Sequence, residues 1–359
     1  MIVRRHWALS WLLVALLSAT TNSPGKIGPA AALAQAEEGG GTATLLFISV
    51  LPGHALTPPV AQVRQAGERA LDETARRAGR APVDAALVLA LQQSHRVRTA
   101  LGLTSEFLDA LRTQTGAASV LVGQLFLYHE RLALAARALR TDDGVLVWAD
   151  AAETAAPTPD QDWGETIARL AANLDGWQPT PAAALRPGES LLVLPARASG
   201  LEPAEGELLT ACLLGELLAC GRGEVLDPGL LAGQLQALGR GTTALDATAC
   251  EAIRRAFGPA PLLVPEIICW DTVERSPALP LPEERGPALR PPERSIMLTL
   301  RTVDTSALVV LNRREVYRGT TPSTGWFGVQ RSVSPLARYR EATVELLAQD
   351  PDRQGKETR

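Results

Sequence analysis

The chain has 359 residues, enough for two domains of ordinary size, each with its own core. An apolar share of 46% and a charged share of 21% fit a soluble globular protein and exclude a disordered or polytopic membrane chain. With 35 basic against 39 acidic residues and a net charge of −4, no basic stripe marks a nucleic-acid surface.

Residues 1–36 read as a secretory signal. Arg4 and Arg5 form a basic start, and the apolar run Trp7 to Ala19 is short for a bilayer span. Ala32-Leu33-Ala34 and Ala34-Gln35-Ala36 both offer a small-x-small cleavage site, with an uncleaved anchor as the competing reading. The expected product is an acidic exported protein of the periplasm or cell envelope.

Thr42 to Leu51 is expected to be a strand, stopped by Pro52-Gly53, and Pro59 to Arg80 a helix with Val60, Val63, Ala70, Leu71 and Ala75 on one stripe. Further helices are expected over 84–94 and from Thr104 to Gly116, where glycine suits a left-handed cap. A buried strand runs from Val120 to Tyr128. Arg131–Arg140 and Val145–Ala149 form a hairpin through Asp143-Gly144, and Trp163–Leu174 is a helix with Asp160 and Asp162 as capping acids.

Residues 177–189 are rich in Pro and Ala and read as a linker. Beyond them come a strand at Ser190–Leu194, a helix at Pro203–Cys220, a short strand Glu224–Leu226 and a helix Leu230–Leu238. A helix Thr248–Phe257, a strand Leu262–Trp270, a hairpin of Ile296–Val303 with Leu308–Val316 and a helix Pro335–Gln349 complete the order. The six prolines of Val273–Arg294 make that insert a surface loop, and residues 350–359 form a polar tail.

The second set of elements repeats the first. Residues 110–128 lie without a gap over 252–270, matching Arg112 to Arg254, Gly116 to Gly258, Val122 to Val264 and Tyr128 to Trp270. Val50-Leu51-Pro52 is set against Val193-Leu194-Pro195. The expected fold class is α/β (α+β): two tandem copies, 42–176 and 190–349, of a mixed-sheet domain with helices packed on the sheet.

This pattern resembles the periplasmic α/β module of the TolB N-terminal domain, the curli-secretion protein CsgG and the penicillin-binding-protein activator LpoB. The likeness rests on Val193-Leu194-Pro195 before a long helix, on Glu224–Pro228, and on a helix, a glycine and an apolar strand followed by a hairpin such as Leu298–Thr305. It implies a non-catalytic envelope protein that binds other proteins or assembles. Two features depart from the family: the N-terminal segment has no lipobox cysteine, and no propeller repeat follows residue 350.

Catalytic constellations are lacking. There is no Gly-x-Ser-x-Gly elbow, no Walker loop and no His-Glu-x-x-His. His54, His95 and His129 fall in different elements, and scattered surface histidines explain them better than a metal site. Gly239-Arg240-Gly241 reads as a turn before a helix rather than an anion cradle. All four cysteines, Cys212, Cys220, Cys250 and Cys269, sit in the second copy. The first two are eight apart on one helix, about 12 Å, so they do not bridge each other.

The candidate interface residues are Tyr128, Trp270, Trp326, Phe327, Arg112 and Arg254. The first two end equivalent strands, and the next two stand among glycines in the loop before the last helix. The arginines are equally well explained as cations at helix C-termini. No enzyme activity, catalytic residue, cofactor or metal is expected. The expected partners are envelope proteins rather than nucleic acid, with membrane association and a homo-oligomer both open. The alternatives are a component of an outer-membrane secretion or assembly ring, or a ligand-binding protein using a cleft between the copies.

Overall fold

The computed structural model describes residues 41–50, 58–128, 131–158, 161–174, 190–201, 203–221, 223–239, 245–272, 293–319, 323–324, 330–331 and 334–349. The leader 1–36, the linker 177–189, most of the insert 273–294 and the tail 350–359 lie outside them, as do His54, His129, Asp160, Trp326 and Phe327.

β1 (Gly41–Val50) pairs in parallel with β2 (Ala117–Tyr128), Leu45 standing opposite Val122. A parallel pair needs a long crossover. Here it is α1 (Val60–Arg77), α2 (Ala85–Ser94) and α3 (Ser105–Thr115). Local chemistry sets the ends of these helices. Asp84 caps α2 by accepting from Ala86 N at 2.8 Å, and Thr104 caps α3 by accepting from Phe107 N at 3.2 Å. Gly116 ends α3 at φ 69°, the left-handed conformation a side chain resists. β3 (Arg131–Arg140) and β4 (Leu146–Ala155) extend the sheet antiparallel, giving the order β1-β2-β3-β4. β4 runs past the expected end at Ala149, because Ala151 and Ala152 are buried against β3 despite their weak strand preference. α4 (Trp163–Ala172) follows, its cap Asp162 accepting from Gly164 N at 2.7 Å.

The strands of the second sheet are β5 (Ser190–Val193), β6 (Arg197–Ser199), β7 (Glu224–Leu226), β8 (Pro261–Thr272), β9 (Glu293–Asp304) and β10 (Val309–Gly319). Their order is β10-β9-β8-β5-β7, with β6 alongside β8. The helices among them are α5 (Pro203–Ala219), α6 (Pro228–Ala237), α7 (Ala247–Phe257) and α8 (Pro335–Ala348). A two-residue pair, β11 (Ser323–Thr324) with β12 (Gln330–Arg331), precedes α8. β5 to β8 is parallel while β8–β9 and β9–β10 are antiparallel, the same senses as β1 through β4.

α3 and α7 are both 11 residues long, capped by Thr104 and Asp246 and closed by Gly116 and Gly258. The Thr141 hydroxyl donates to Ala117 O at 2.7 Å where the hairpin β3–β4 turns, and Thr305 donates to Ala260 O at 3.0 Å where β9–β10 turns.

Register corrects one detail of the sequence comparison. Val193 pairs with Leu263 and Arg197 with Glu266, so β5 and β6 together occupy the place of β1. Val193-Leu194-Pro195 interrupts this strand in its middle rather than ending it as Val50 ends β1. Proline has no N–H for the ladder, and the chain steps out of pairing there.

The outer face of the first sheet is covered by the stripe Val63, Ala66, Ala70, Leu71 and Ala75 of α1, with Ile167 and Leu170 of α4. On its other face a single apolar cluster takes in Phe107, Leu108 and Leu111 of α3, Val122 and Phe126 of β2, Leu208 to Leu218 of α5, and Ile253, Ile267 and Leu298. That cluster runs across both halves. α5 packs on β4 and β3 of the first sheet and on β6, β7 and β8 of the second, as well as on α8. It buries Leu208, Leu209, Cys212, Leu213, Leu214, Leu217 and Leu218, apolar nearly all round, which suits a helix with no solvent face. The described residues fall within one compact unit, Gly39–Arg359.

Candidate functional site

A cleft of about 670 Å³ opens where β1 ends, between α1, α2, the loop after α2 and α5. Its floor is polar and assembled from distant segments. Gln124 of β2 donates through Nε2 to Ser49 Oγ at 3.0 Å and to the Glu207 carboxylate of α5. Phe47, Ile48, Leu89 and Val97 supply apolar wall, and Arg64, Arg96 and Arg98 stand at the mouth. Arg64 donates to Leu46 O at 3.2 Å. Among the described residues, Arg96 and Arg98 have no ion-pair partner, and both are exposed.

Burial pushes the Glu207 carboxyl up to about 7, against the pull of the Arg137 guanidinium and the Gln124 amide. The ordinary value is 4.5, so between pH 4.5 and about 7 folded Glu207 keeps a proton that the unfolded chain has released. Its contribution is therefore greatest at low pH and declines by about 3 kcal/mol as pH rises through that window. Glu207→Gln is expected to flatten this decline. Urea unfolding at about pH 5 and about pH 8 reads it directly.

Behind the floor, Arg137 of β3 reaches across to the second half. It pairs with Asp227, whose side chain is 0% exposed, and donates to Ala100 O at 2.7 Å. Asp227 also caps α6, accepting from Gly229 N at 2.7 Å. Asp227, the residue just after β7, thus joins a helix cap to an ion pair between the two halves. Nearby, Tyr128 donates to Glu153 at 2.7 Å and Tyr339 to Glu205 at 2.9 Å. Burial and the neighbouring carboxylates raise both phenols well above their ordinary range, so they stay protonated donors.

The hairpin β9–β10 makes a second candidate surface. Among the described residues β10 is an outer strand, paired only with β9. At its tip Leu308, Val309, Val310 and Leu311 are all exposed, Leu311 to 61%. These four large apolar side chains follow one another from the turn residue Leu308 into β10, an exposed apolar run rather than a single scattered residue. Leu308 has φ 58° and Arg96 has φ 55°, the two non-glycine residues with positive φ among those described. Backbone strain held by a side chain that does not need to be there often accompanies function.

The sequence-derived interface residues fare differently. Arg112 lies at the surface paired with Asp109 at 3.0 Å, and Arg254 with Glu251 at 2.7 Å, the same pair at the same place in each half. The two guanidiniums Arg254 and Arg255 hold Glu251 down to about 2. Tyr128, a candidate interface residue at its strand end, is 0% exposed and donates its hydroxyl to Glu153, so it offers no partner a surface. Trp270 stands in β8 opposite Ser295, while Trp326 and Phe327 lie outside the described residues.

His95 stacks edge-on to Phe107 with ring centroids 5.8 Å apart. None of the four cysteines is in a disulfide, and burial pushes Cys212 up to about 12. Among the described residues no group of three or more His, Cys, Asp or Glu is placed to hold a metal ion. No helix of theirs is long and apolar enough to cross a membrane.

Sequence reasoning missed the cleft. Ser49, Arg64, Arg96, Gln124 and Glu207 come from five separate segments and share no motif. The one local signal is a helix ending at Ser94 that is followed by arginine where glycine is usual.

No protein-family model matches the chain, and no curated protein matches it either. Among solved structures it is similar to the PelC dodecamer from Paraburkholderia phytofirmans, at 16% identity over 46% of this chain and 89% of that one, TM-score 0.28. It is similar to lipoprotein GNA1162 from Neisseria meningitidis at 18% identity over 45% and 99%, TM-score 0.29. The LpoB C-terminal domain from Salmonella enterica follows at 16% identity over 32% and 84%, TM-score 0.24.

Proposed function

We propose that this is an exported, non-catalytic protein of the cell envelope that works by holding another envelope protein, and that the β9–β10 hairpin tip is its contact surface. The observation that carries the reading is the exposed run Leu308–Leu311 on an outer strand. An apolar tip gains by being covered, roughly 25 cal/mol for each Å² removed from water. Arg313, Glu315 and Arg318 farther along β10 place charge on the rest of that edge, which discourages indiscriminate strand pairing. The leader-like residues 1–36 support export. We also propose that 42–176 and 190–349 descend from one duplicated unit, on the strength of the shared strand senses, helix caps and Asp109–Arg112 and Glu251–Arg254 pairs.

The test is site-specific photocrosslinking in the native host, using the full chain with a reactive residue at 308 or 309 and, as comparator, at exposed Val60. A discrete adduct from the hairpin, absent at residue 60 and lost in a Val310→Lys/Leu311→Lys chain, is expected. Equal adduct patterns at all three positions, or recovery of the chain in the cytoplasm, would overturn the reading. The lysine pair should change stability by no more than about 0.5 kcal/mol, since both positions are exposed.

A further inference from the structure

The cleft below α2 stands apart from the hairpin tip and is built from other residues. At about 670 Å³ it falls within the usual size of small-molecule sites, which combine apolar walls with a few placed polar groups. It also lies toward the carboxyl end of the parallel pair β1–β2, where α/β sheets commonly bind ligands because the crossover leaves a crevice there.

Two kinds of group face each other across it. At the floor, the Glu207 carboxyl, Gln124 amide and Ser49 hydroxyl form one hydrogen-bonded set, with Gln124 Nε2 fixing the orientation. Such a set accepts from hydroxyl or ammonium donors. At the mouth, Arg64, Arg96 and Arg98 bring three guanidiniums around one opening. Surface arginines are ordinarily solvated and need no ligand. Arg96 is different in kind. It occupies the left-handed position that ends α2, with Val97 N reaching back to Gln92 O at 2.9 Å and Arg96 N to Gln93 O at 3.1 Å. Elsewhere Gly79, Gly116 and Gly239 fill such helix-end positions. A β-carbon there is disfavoured, so arginine at this place carries backbone strain that glycine would not.

We propose that this cleft binds a small organic anion carrying hydroxyl or ammonium donors, its acid group held by Arg96, Arg98 and Arg64 and its donors by Glu207, Gln124 and Ser49. A carboxylate and a phosphate ester both supply such an acid; the shared chemistry is one anionic group at the mouth and donors at the floor. The proposal does not depend on the hairpin contact, and its failure would leave that reading standing.

Calorimetric titration of the full mature chain tests it with glucuronate (carboxylate and hydroxyls), glutamate (carboxylate and ammonium) and glycerol 3-phosphate (phosphate and hydroxyls). Acetate and glucose serve as half-ligands. At least one of the three should saturate in or below the millimolar range, and tighter than either half-ligand. Which one does so identifies the acid and the donor. Arg96→Ala/Arg98→Ala should weaken it at least about tenfold, and rising salt should weaken it further. Glu207→Gln should weaken the full ligand while leaving acetate unchanged. Arg96→Gly is the control for folding, because it relieves the backbone and removes the charge: it should raise Tm and still lose affinity. Saturation by none of the three, affinity untouched in the arginine variants, or acetate binding as tightly as the full ligands would each overturn the proposal.

Discussion

Replacing Asp227 by alanine is expected to destabilise the protein by about 3–5 kcal/mol, the cost of leaving a buried charge without its partner. Two losses coincide at this one side chain. Arg137 is left with a mostly buried guanidinium that keeps its bond to Ala100 O but has lost its ion-pair partner, and α6 loses its cap because Gly229 N loses its acceptor. The cap alone is worth about 1 kcal/mol. Because Arg137 belongs to β3 and Asp227 to the second half, the damage should appear in both halves together. Arg137→Met/Asp227→Asn separates the terms: it removes the unpaired charge while an amide keeps an acceptor for Gly229 N, and it should recover more than half of the loss. Urea unfolding of both variants checks this, and a Glu251→Ala chain, which loses only exposed pairs, should keep the unfolding midpoint of the unaltered protein.

Phe107→Ala is the second large effect, at about 3–5 kcal/mol from lost burial and the cavity left behind. The ring is 0% exposed, lies in the cluster shared by both halves and meets His95 edge-on. His95 caps α2 immediately before Arg96, so the cavity also loosens the support of the cleft mouth. Phe107→Leu should cost much less, because it keeps most of the volume. Thermal unfolding of both variants gives the comparison.

The sequence made some parts of this fold legible and left others out of reach, for physical reasons. α3 and α7 were legible because their caps, Thr104 and Asp246, and their closing glycines act within a single turn. Asp143-Gly144 marked its hairpin in the same way: Asp143 accepts from Val145 N at 3.0 Å, and Gly144 takes φ 72°. The division of β1's counterpart into β5 and β6 was not legible, since Val-Leu-Pro reads alike whether it ends a strand or interrupts one. Nor was the burial of Tyr128, whose strand-end position suits a rim until Glu153 of β4 is seen to reach its hydroxyl. The cleft depends on Glu207 arriving from α5 onto a face of the first sheet, a long-range fact that no local pattern encodes. α5 shows where the limit lies. Its sequence marks a helix, but no local pattern shows that two sheets share it.

That sharing is the centre of the account, and hydrogen exchange read by mass spectrometry across a urea series tests it most directly. If α5 belongs to one core common to both halves, peptides from β2–β4, α5 and β8–β9 lose protection in a single transition with one midpoint. Persistence of protection in 117–155 at urea concentrations where α5 and β8–β9 already exchange freely would show two separate cores and contradict it.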